Sequence, residues 1–295
     1  MADQKRAVPE NVPGNFFVDF TCINCDTCRQ LAPETFADAG NNSCVSHQPA
    51  NSEDERKAVR ALLSCPTASI GTRQKSNAQD VVGDFPLKIE GNVFYCGFNS
   101  PKSYGANSFF VRHKDGNWLI DSPRFVKSLA AQFKKLGGIK YIFLTHQDDI
   151  ADADKYASAF GASRIIHSED AQAEPESEIL IKGEKPKNFG DEFQVIPVPG
   201  HTRGHMVLLY QNRYLFSGDH VFFDPVSKRL TATKQYCWYS WQRQTESMAS
   251  LSDFNFEWVL PGHGQRVHFD QKAMHKQMTD LVERMRAPAE QWREE

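Results

Sequence analysis

Thr145-His146-Gln147-Asp148-Asp149-Ile150-Ala151-Asp152 is the stretch on which the reading of this chain turns. It follows an apolar run, Tyr141-Ile142-Phe143-Leu144, with the character of a buried strand. It precedes Asp154 to Phe160, whose spacing of Tyr156, Ala157 and Phe160 predicts a helix with one apolar side. One imidazole and three carboxylates therefore sit on a strand-to-helix loop, where α/β folds place ligands and metals. Taken alone, the acids also suit a helix start, with Asp148 and Asp149 as caps and Asp152 at the positive end. Three later loops change that balance: Pro199-Gly200-His201-Thr202-Arg203-Gly204-His205, Ser217-Gly218-Asp219-His220, and Pro261-Gly262-His263-Gly264. Each sets a histidine or aspartate just past a strand and beside glycine, where backbone must pass close to a bound centre.

The whole chain narrows the function classes. Of 295 residues, 40% are apolar and 24% charged, the balance of an ordinary globular protein. A formal net charge of −3 argues against a nucleic-acid surface, so no nucleic-acid partner is expected. No apolar stretch has the length of a membrane span, and no membrane partner is expected. Residues 1–15 lack the apolar core of a signal peptide and are expected to form a mobile leader. A reducing compartment follows as the expectation: cytoplasm, or plastid stroma in a eukaryote.

Cysteine spacing defines the first third of the chain. Cys22-Ile23-Asn24-Cys25-Asp26-Thr27-Cys28 separates three thiols by two residues each, and Cys65-Pro66 follows 37 residues after Cys28. Three thiolates from one loop suit three corners of an iron–sulfur cube, with a proline-linked cysteine for the fourth. Zinc sites more often present two separate pairs, and a disulfide-linked head needs an oxidising compartment. With Leu31-Ala32-Pro33-Glu34-Thr35-Phe36 and Cys65-Pro66-Thr67-Ala68-Ser69-Ile70, the pattern resembles single-cluster bacterial-type ferredoxins over Phe16 to Thr72. The resemblance implies one [4Fe–4S] cluster on Cys22, Cys25, Cys28 and Cys65. Cys44 is left as a buried apolar thiol or a spare ligand. Glu53 to Leu63 predicts a helix capped by Asn51 or Ser52, and polar Asn77 to Asp84 marks a boundary. The expected organisation is a leader at 1–15, a ferredoxin-like domain at 16–78 and a larger domain at 79–295.

In the larger domain, Lys88 to Cys96, Asn107 to Arg112 and Trp118 to Asp121 predict strands, Pro123 to Leu136 a helix, and Ile139 to Leu144 a strand. A second batch follows at Arg164 to His167, Phe193 to Pro197, Met206 to Tyr210 and Tyr214 to Phe216. Charged, proline-containing Glu174 to Phe189 is expected as a surface connection, and Asp270 to Arg293 as a closing helix. Two batches of strands with helices between them suggest two face-to-face sheets with helices outside.

The four loops in their order resemble the metallo-β-lactamase superfamily from about Pro86 to His268. The resemblance implies an α+β chain: a small ferredoxin-like domain followed by an αββα sandwich with one or two metals at the sheet edge. His146 matches the first histidine of the family's His-x-His-x-Asp-His motif, His201 the next ligand, Asp219 the bridging aspartate and His263 the last histidine. His205 matches a glycine-histidine element that is usually structural. The departure is central: the second histidine is Asp148, and the Asp-His pair is Ile150-Ala151 in strict register or Asp152-Ala153 after a two-residue insertion. The insertion is preferred, giving metal ligands His146, Asp148, Asp152, His201, Asp219 and His263, with Asp148 and Asp152 also catalytic and Asp149 able to replace either carboxylate.

More carboxylate and less imidazole favours iron or manganese over zinc, so zinc or iron, as one or two ions, is expected. Such a site suits metal-dependent hydrolysis of an ester, thioester or lactone, with a small molecule as substrate. Flavodiiron proteins in the superfamily also carry a carboxylate at the second position, which makes a redox enzyme fed by the cluster, with a redox partner protein, the alternative. An iron–sulfur sensor or scaffold with a degenerate pocket is the third. Cys237-Trp238-Tyr239-Ser240-Trp241 reads as a helix or turn burying aromatic surface, or as a pocket wall that selects substrate. With the His-x-Asp-Asp-x-x-Asp variant and the ferredoxin head, it also resembles a ferredoxin-fused subfamily of photosynthetic lineages.

Overall fold

The computed structural model describes residues 2–75 and 78–287, so the start of the expected boundary at Asn77 and the helix end expected at residues 288–293 lie outside the described residues. The chain forms two compact units, Met1–Tyr141 with Ala151–Ala162, and Ile142–Ile150 with Ser163–Glu295.

In the first unit, Phe16–Val18 pairs antiparallel with Ile70–Thr72, and Phe36–Asp38 pairs antiparallel with Ser43–Val45. The helix Ser52–Ser64 begins where Asn51 Oδ1 accepts from the backbone N–H groups of Glu53 and Asp54, both at 3.0 Å. Three acids in its first turn favour the positive end of the helix dipole. Its inner face buries Ala58, Val59 and Ala61 against Phe16, Val18, Phe36, Val45 and Ile70. Cys28 and Cys65 belong to the same apolar cluster.

The expected mobile leader is corrected by this packing. Val8 is buried, and its backbone N–H donates to Val18 O at 2.9 Å. The Asn11 side chain acts as a staple: Nδ2 donates to Val8 O (2.7 Å) and Val18 O (2.8 Å), while Oδ1 accepts from Val18 N (3.1 Å) and Val45 N (2.9 Å). One amide thus bonds backbone groups of three segments, which is why a polar leader folds onto the domain.

The same unit continues into an antiparallel run of Leu87–Glu90, Val93–Tyr95, Phe109–Val111 and Trp118–Ile120. Asn99 ties this run to the cysteine-rich part. Its N–H donates to Ser64 O (3.2 Å), its Nδ2 to Thr27 Oγ1 (3.0 Å), and its Oδ1 accepts from Tyr95 OH (2.7 Å). The helix expected over Pro123 to Leu136 is confined to Lys127–Lys135, with Val126 still in extended backbone ahead of it. Phe133 stacks on Phe110 at 4.7 Å, and Tyr156, from the helix Ala153–Phe160, meets Phe133 edge-on.

In the second unit, a six-stranded sheet runs in the order Lys187–Phe189, Phe193–Pro197, Met206–Tyr210, Tyr214–Gly218, Trp258–Pro261 and Val267–His268. All neighbours are antiparallel except Tyr214–Gly218 with Trp258–Pro261, which are parallel. One face, with Val207, Leu209, Leu215 and Val259, packs on Met248 and Leu251 of the helix Trp241–Leu251 and on Met274, Met278 and Leu281 of Gln271–Arg286. Glu174 to Phe189 is not merely a surface connection. It contains Ile179–Ile181, which pairs parallel with Ser163–His167, and Lys187–Phe189, the edge of the six-stranded sheet. Short strands flanked by charge and proline escape a periodicity reading because Ile179–Ile181 buries one residue and Lys187–Phe189 none. No helix among the described residues is long and apolar enough to cross a membrane.

Asn11→Ala is expected to lower the stability of the cysteine-rich part by about 2–3 kcal/mol, because four hydrogen bonds go and buried backbone groups lose their partner. The thermal midpoint followed by visible absorbance of the cluster checks this; an unchanged midpoint would return residues 2–12 to the status of a free leader.

Candidate metal centres

The sulfurs expected to hold a cluster do converge. Cys22, Cys25, Cys28 and Cys65 line one hollow in the first unit with Val18, Ile23, Thr27, Ser43, Thr67, Ser69 and Ile70. Backbone N–H groups point at the sulfurs: Asn24 and Ser43 donate to Cys22 Sγ, both at 3.4 Å, and Ser69 donates to Cys65 Sγ at 3.3 Å. Such donors stabilise charge on cluster sulfurs. Burial pushes the Cys28 thiol up to about 12 and raises Cys25 as well, so thiolates there require a metal to hold them. The donor set fits an iron–sulfur cluster. Cys44 is buried on the strand Ser43–Val45 and is not among the residues lining the hollow. Gly105 also matters here: a Cβ on it would lie 2.8 Å from Cys25 Cβ and 3.1 Å from Cys25 Sγ, so only glycine lets this backbone cover the cysteine.

The second centre is built within the second unit. The parallel strands Tyr214–Gly218 and Trp258–Pro261 end side by side, with Gly218 opposite Pro261, and so deliver Asp219 and His263 to the same edge. Thr145 O accepts from Met206 N at 2.8 Å, which joins the His146 loop to the strand that follows His205. Around the hollow, His146 Nε2 lies 3.9 Å from Asp148 Oδ2 and 3.8 Å from Asp219 Oδ2. His201 Nε2 lies 3.6 Å from Asp148 Oδ2 and 3.8 Å from Asp219 Oδ2. His263 Nδ1 is 2.8 Å from Asp219 Oδ1. The Nε2 atoms of His146 and His201 are buried without a hydrogen-bond partner. Buried imidazole nitrogens facing carboxylates at this separation are what a cation between them would satisfy.

Electrostatics agree with a ligand role. Burial, assisted by the neighbouring imidazoles, lowers His146 to about 4, so it is neutral and able to ligate at physiological pH. Thr145 Oγ1, 2.9 Å from Nδ1, fixes the ring with Nε2 toward the hollow. The facing imidazoles, His201 foremost and then His146, hold the Asp148 carboxyl below the usual range. Burial alone would raise Asp219, but His263 and the other imidazoles overcome it and keep the group ionised.

Five of the six expected metal ligands, His146, Asp148, His201, Asp219 and His263, therefore come together. Asp152 does not. Its Oδ2 accepts from Phe125 N (2.9 Å), and its Oδ1 pairs with Lys102 Nζ (2.8 Å) and Lys155 Nζ (3.1 Å), all within the first unit. Its assignment as a catalytic and metal residue is corrected: every strong interaction of this carboxylate is structural. Asp149, not Asp152, is the third carboxylate at the hollow. It is 1% exposed and has an oxygen within 4.8 Å of ligand atoms of both His146 and Asp219. A Cβ on Gly262 would sit 2.7 Å from Asp149 Oδ2 and 2.9 Å from Asp219 Oδ1, so this glycine is what allows the two carboxylates to share the space.

His205 is in neither group of side chains placed to hold an ion among the described residues. Its Nε2 accepts from Asp219 N at 3.2 Å and holds the backbone that presents Asp219. Asp170 escaped the sequence reading. Buried, it accepts from Gln147 N (3.2 Å), Thr202 Oγ1 (2.5 Å) and Gly204 N (2.9 Å), and so clamps the His146 loop to the His201 loop. Its only sequence signal is an acid after a strand, which is too common to single out.

Asp149→Asn is expected to lower metal affinity at this centre by tens-fold, and Asp170→Asn by about tenfold through loosened loops, both read by competition with a chromogenic chelator. Asp152→Asn should keep its metal. It should instead lose about 1–2 kcal/mol of stability near neutral pH, because Lys102, the Phe125 N–H and Lys155 overcome burial and hold the Asp152 carboxyl at about 2, below the ordinary 3.8. That contribution is present above pH 3.8 and fades as the pH falls toward 2, so wild type and Asp152→Asn should converge in acid; a loss of metal from Asp152→Asn would reverse the reassignment.

Residues 18–72 match the family described as the 4Fe-4S single cluster domain of Ferredoxin I, and residues 103–271 match the metallo-beta-lactamase superfamily. YmaE of Bacillus subtilis (strain 168), itself described as uncharacterized, is 27% identical over 188 residues, which are 62% of this chain and 64% of that protein. The chain thus spans somewhat under two thirds of that relative's length. Among solved structures, the B3 metallo-beta-lactamase BLEG-1 aligns with a TM-score of 0.51 at 18% identity, over 66% of this chain and all of that one. TMB-1 aligns with a TM-score of 0.50 at 17% identity, over 66% and 95%. These likenesses carry the fold of the larger part, the αββα sandwich of the metallo-beta-lactamases. With the larger match covering more than half its length, the chain belongs to the metallo-β-lactamase superfamily and carries a single-cluster [4Fe–4S] ferredoxin domain.

Proposed function

We propose that the chain is a metal-dependent hydrolase of a small ester, thioester or lactone. The observation that supports this reading best is the pair of buried, partnerless Nε2 atoms of His146 and His201 facing the carboxylates of Asp148 and Asp219. His146, Asp148, Asp149, His201, Asp219 and His263 would hold the ion or ions. Three carboxylates among six ligands make the set hard, which favours iron or manganese over zinc. A divalent ion there supplies Lewis acidity and lowers the pKa of water. The chain's own residues do the rest. Asp148, about a third exposed, stands at the mouth as a deprotonated acceptor for a water proton. Buried Asp149 and partly buried Asp219 would anchor the ion, and the Asp170 clamp keeps the two histidine loops in register.

A redox enzyme is the second reading, favoured by the same oxygen-rich set, because iron is at home there and a cluster domain belongs to the chain. Here a redox partner protein would supply electrons to the cluster.

Anaerobically purified protein should contain about four irons for the cluster and one or two further ions, lost selectively in His201→Ala. Manganese- or iron-loaded protein should hydrolyse members of a thioester, aryl ester and lactone panel, with His201→Ala lowering kcat/KM by at least a hundredfold. Bound extra metal with no turnover on the panel, but oxygen consumption driven by a reduced donor, would replace the first reading with the second.

A further inference from the structure

Trp238, in the segment expected to bury aromatic surface or to wall a pocket, is 63% exposed, and Tyr236, just ahead of that segment, is 53% exposed. Their rings meet edge to face at 6.1 Å. The Trp238 ring lies 6.4 Å from the ring of His201, one of the centre's ligands. Four bonds fasten the segment that carries them to the His201 loop. Trp238 N and Tyr239 N both donate to His201 O at 3.0 Å, Ser240 N donates to Gly200 O at 3.0 Å, and the Cys237 thiol donates to Gly200 O at 3.2 Å. Ser240 also caps the following helix by accepting from Arg243 N. The base of the aromatic segment is therefore fixed while its rings stand in solvent. Leaving two large rings in water beside a polar centre forgoes the burial that normally stabilises them, and a fixed backbone removes much of the ordering cost of binding there.

A cation completes the wall. The Arg203 guanidinium, two residues beyond His201, lies over the Tyr239 ring at 4.7 Å from its centroid. It has no carboxylate partner among the described residues. Stacking on Tyr239 restrains it without neutralising it, which leaves its donors for an incoming anion.

We propose that Trp238, Tyr236 and Arg203 form a subsite, on the His201 side of the metal centre, for a substrate that carries a flat aromatic or conjugated group and an anionic group. This rests on the hydrolase reading for its catalytic meaning, but the subsite itself is a binding claim. The rings take the flat group by stacking, and Arg203 takes the anion.

Calorimetric titration of the full metal-loaded protein tests it without turnover, with 2-naphthoate, 2-naphthamide and acetate as probes. Wild type should bind 2-naphthoate at least tenfold more tightly than acetate and more tightly than the uncharged amide. Trp238→Ala should weaken 2-naphthoate about tenfold and leave acetate unchanged. Arg203→Met should bring 2-naphthoate and 2-naphthamide to equal affinity. Both side chains are exposed, so neither change threatens folding. Undiminished 2-naphthoate binding in Trp238→Ala, or a carboxylate preference that survives in Arg203→Met, overturns the proposal. Binding with these preferences in a protein that hydrolyses none of the panel esters supports the subsite while the hydrolase reading fails.

Discussion

Three carboxylates and three imidazoles are drawn into one largely buried hollow, and the rest of the second unit is arranged to make that tolerable. Asp149 and His146 are essentially removed from water, and Asp219 is partly buried. Like charges this close in a low-dielectric site repel strongly unless a cation lies between them or protons are taken up. Asp219 resists protonation because His263, His146 and His201 surround it. His263 Nδ1 contacts one Asp219 oxygen at 2.8 Å, but the Nε2 atoms of His146 and His201 find no donor or acceptor. A folded chain leaves such atoms unsatisfied where a ligand is meant to satisfy them.

Geometry around the hollow follows from that demand. Gly218, at φ +50°, and Gly262 stand where any side chain would strike the site: a Cβ on Gly218 would meet Thr145 Oγ1 and His205 Nε2, and one on Gly262 would meet two carboxylates. Asp170 and His205 hold backbone rather than ligand atoms, the first joining the two histidine loops and the second presenting Asp219. Their conservative loss is a question of precision, since a ligand displaced by a fraction of an ångström changes metal affinity more than fold stability.

Much of this was legible in the residues alone. The order of four strand-end loops pointed to five side chains that gather at one hollow, and cysteine spacing to four sulfurs that share another. What sequence did not resolve was which of two nearby aspartates turns inward. The loop after His146 has no periodicity to read. Its direction is decided by a turn that puts Ala151 at φ +39°, a left-handed conformation that a non-glycine residue rarely advertises. That turn leaves Asp149 on the histidine side and sends Asp152 to Lys102, Lys155 and the Phe125 N–H. A count of residues between motif positions carries no information about such a reversal. The leader failed for a similar reason: polar composition suggested freedom, but one amide, Asn11, satisfies four backbone groups and binds the segment down.

The same logic separates the aromatic segment from an ordinary surface loop. Aromatic residues clustered between two ligand loops are most simply explained by burial, and Trp241, next in line, is partly buried against the core beneath the six-stranded sheet. Trp238 and Tyr236 lie only a few residues before it, yet their rings stay in water because the backbone between them is spent on His201 O and Gly200 O. Those bonds couple the aromatic segment to the ligand loop so tightly that one cannot shift without the other. In the proposed hydrolase, a molecule stacked on Trp238 would be held at a set reach from His201, and the reach, more than the identity of the ion, would decide which acyl groups bring their carbonyl to the centre.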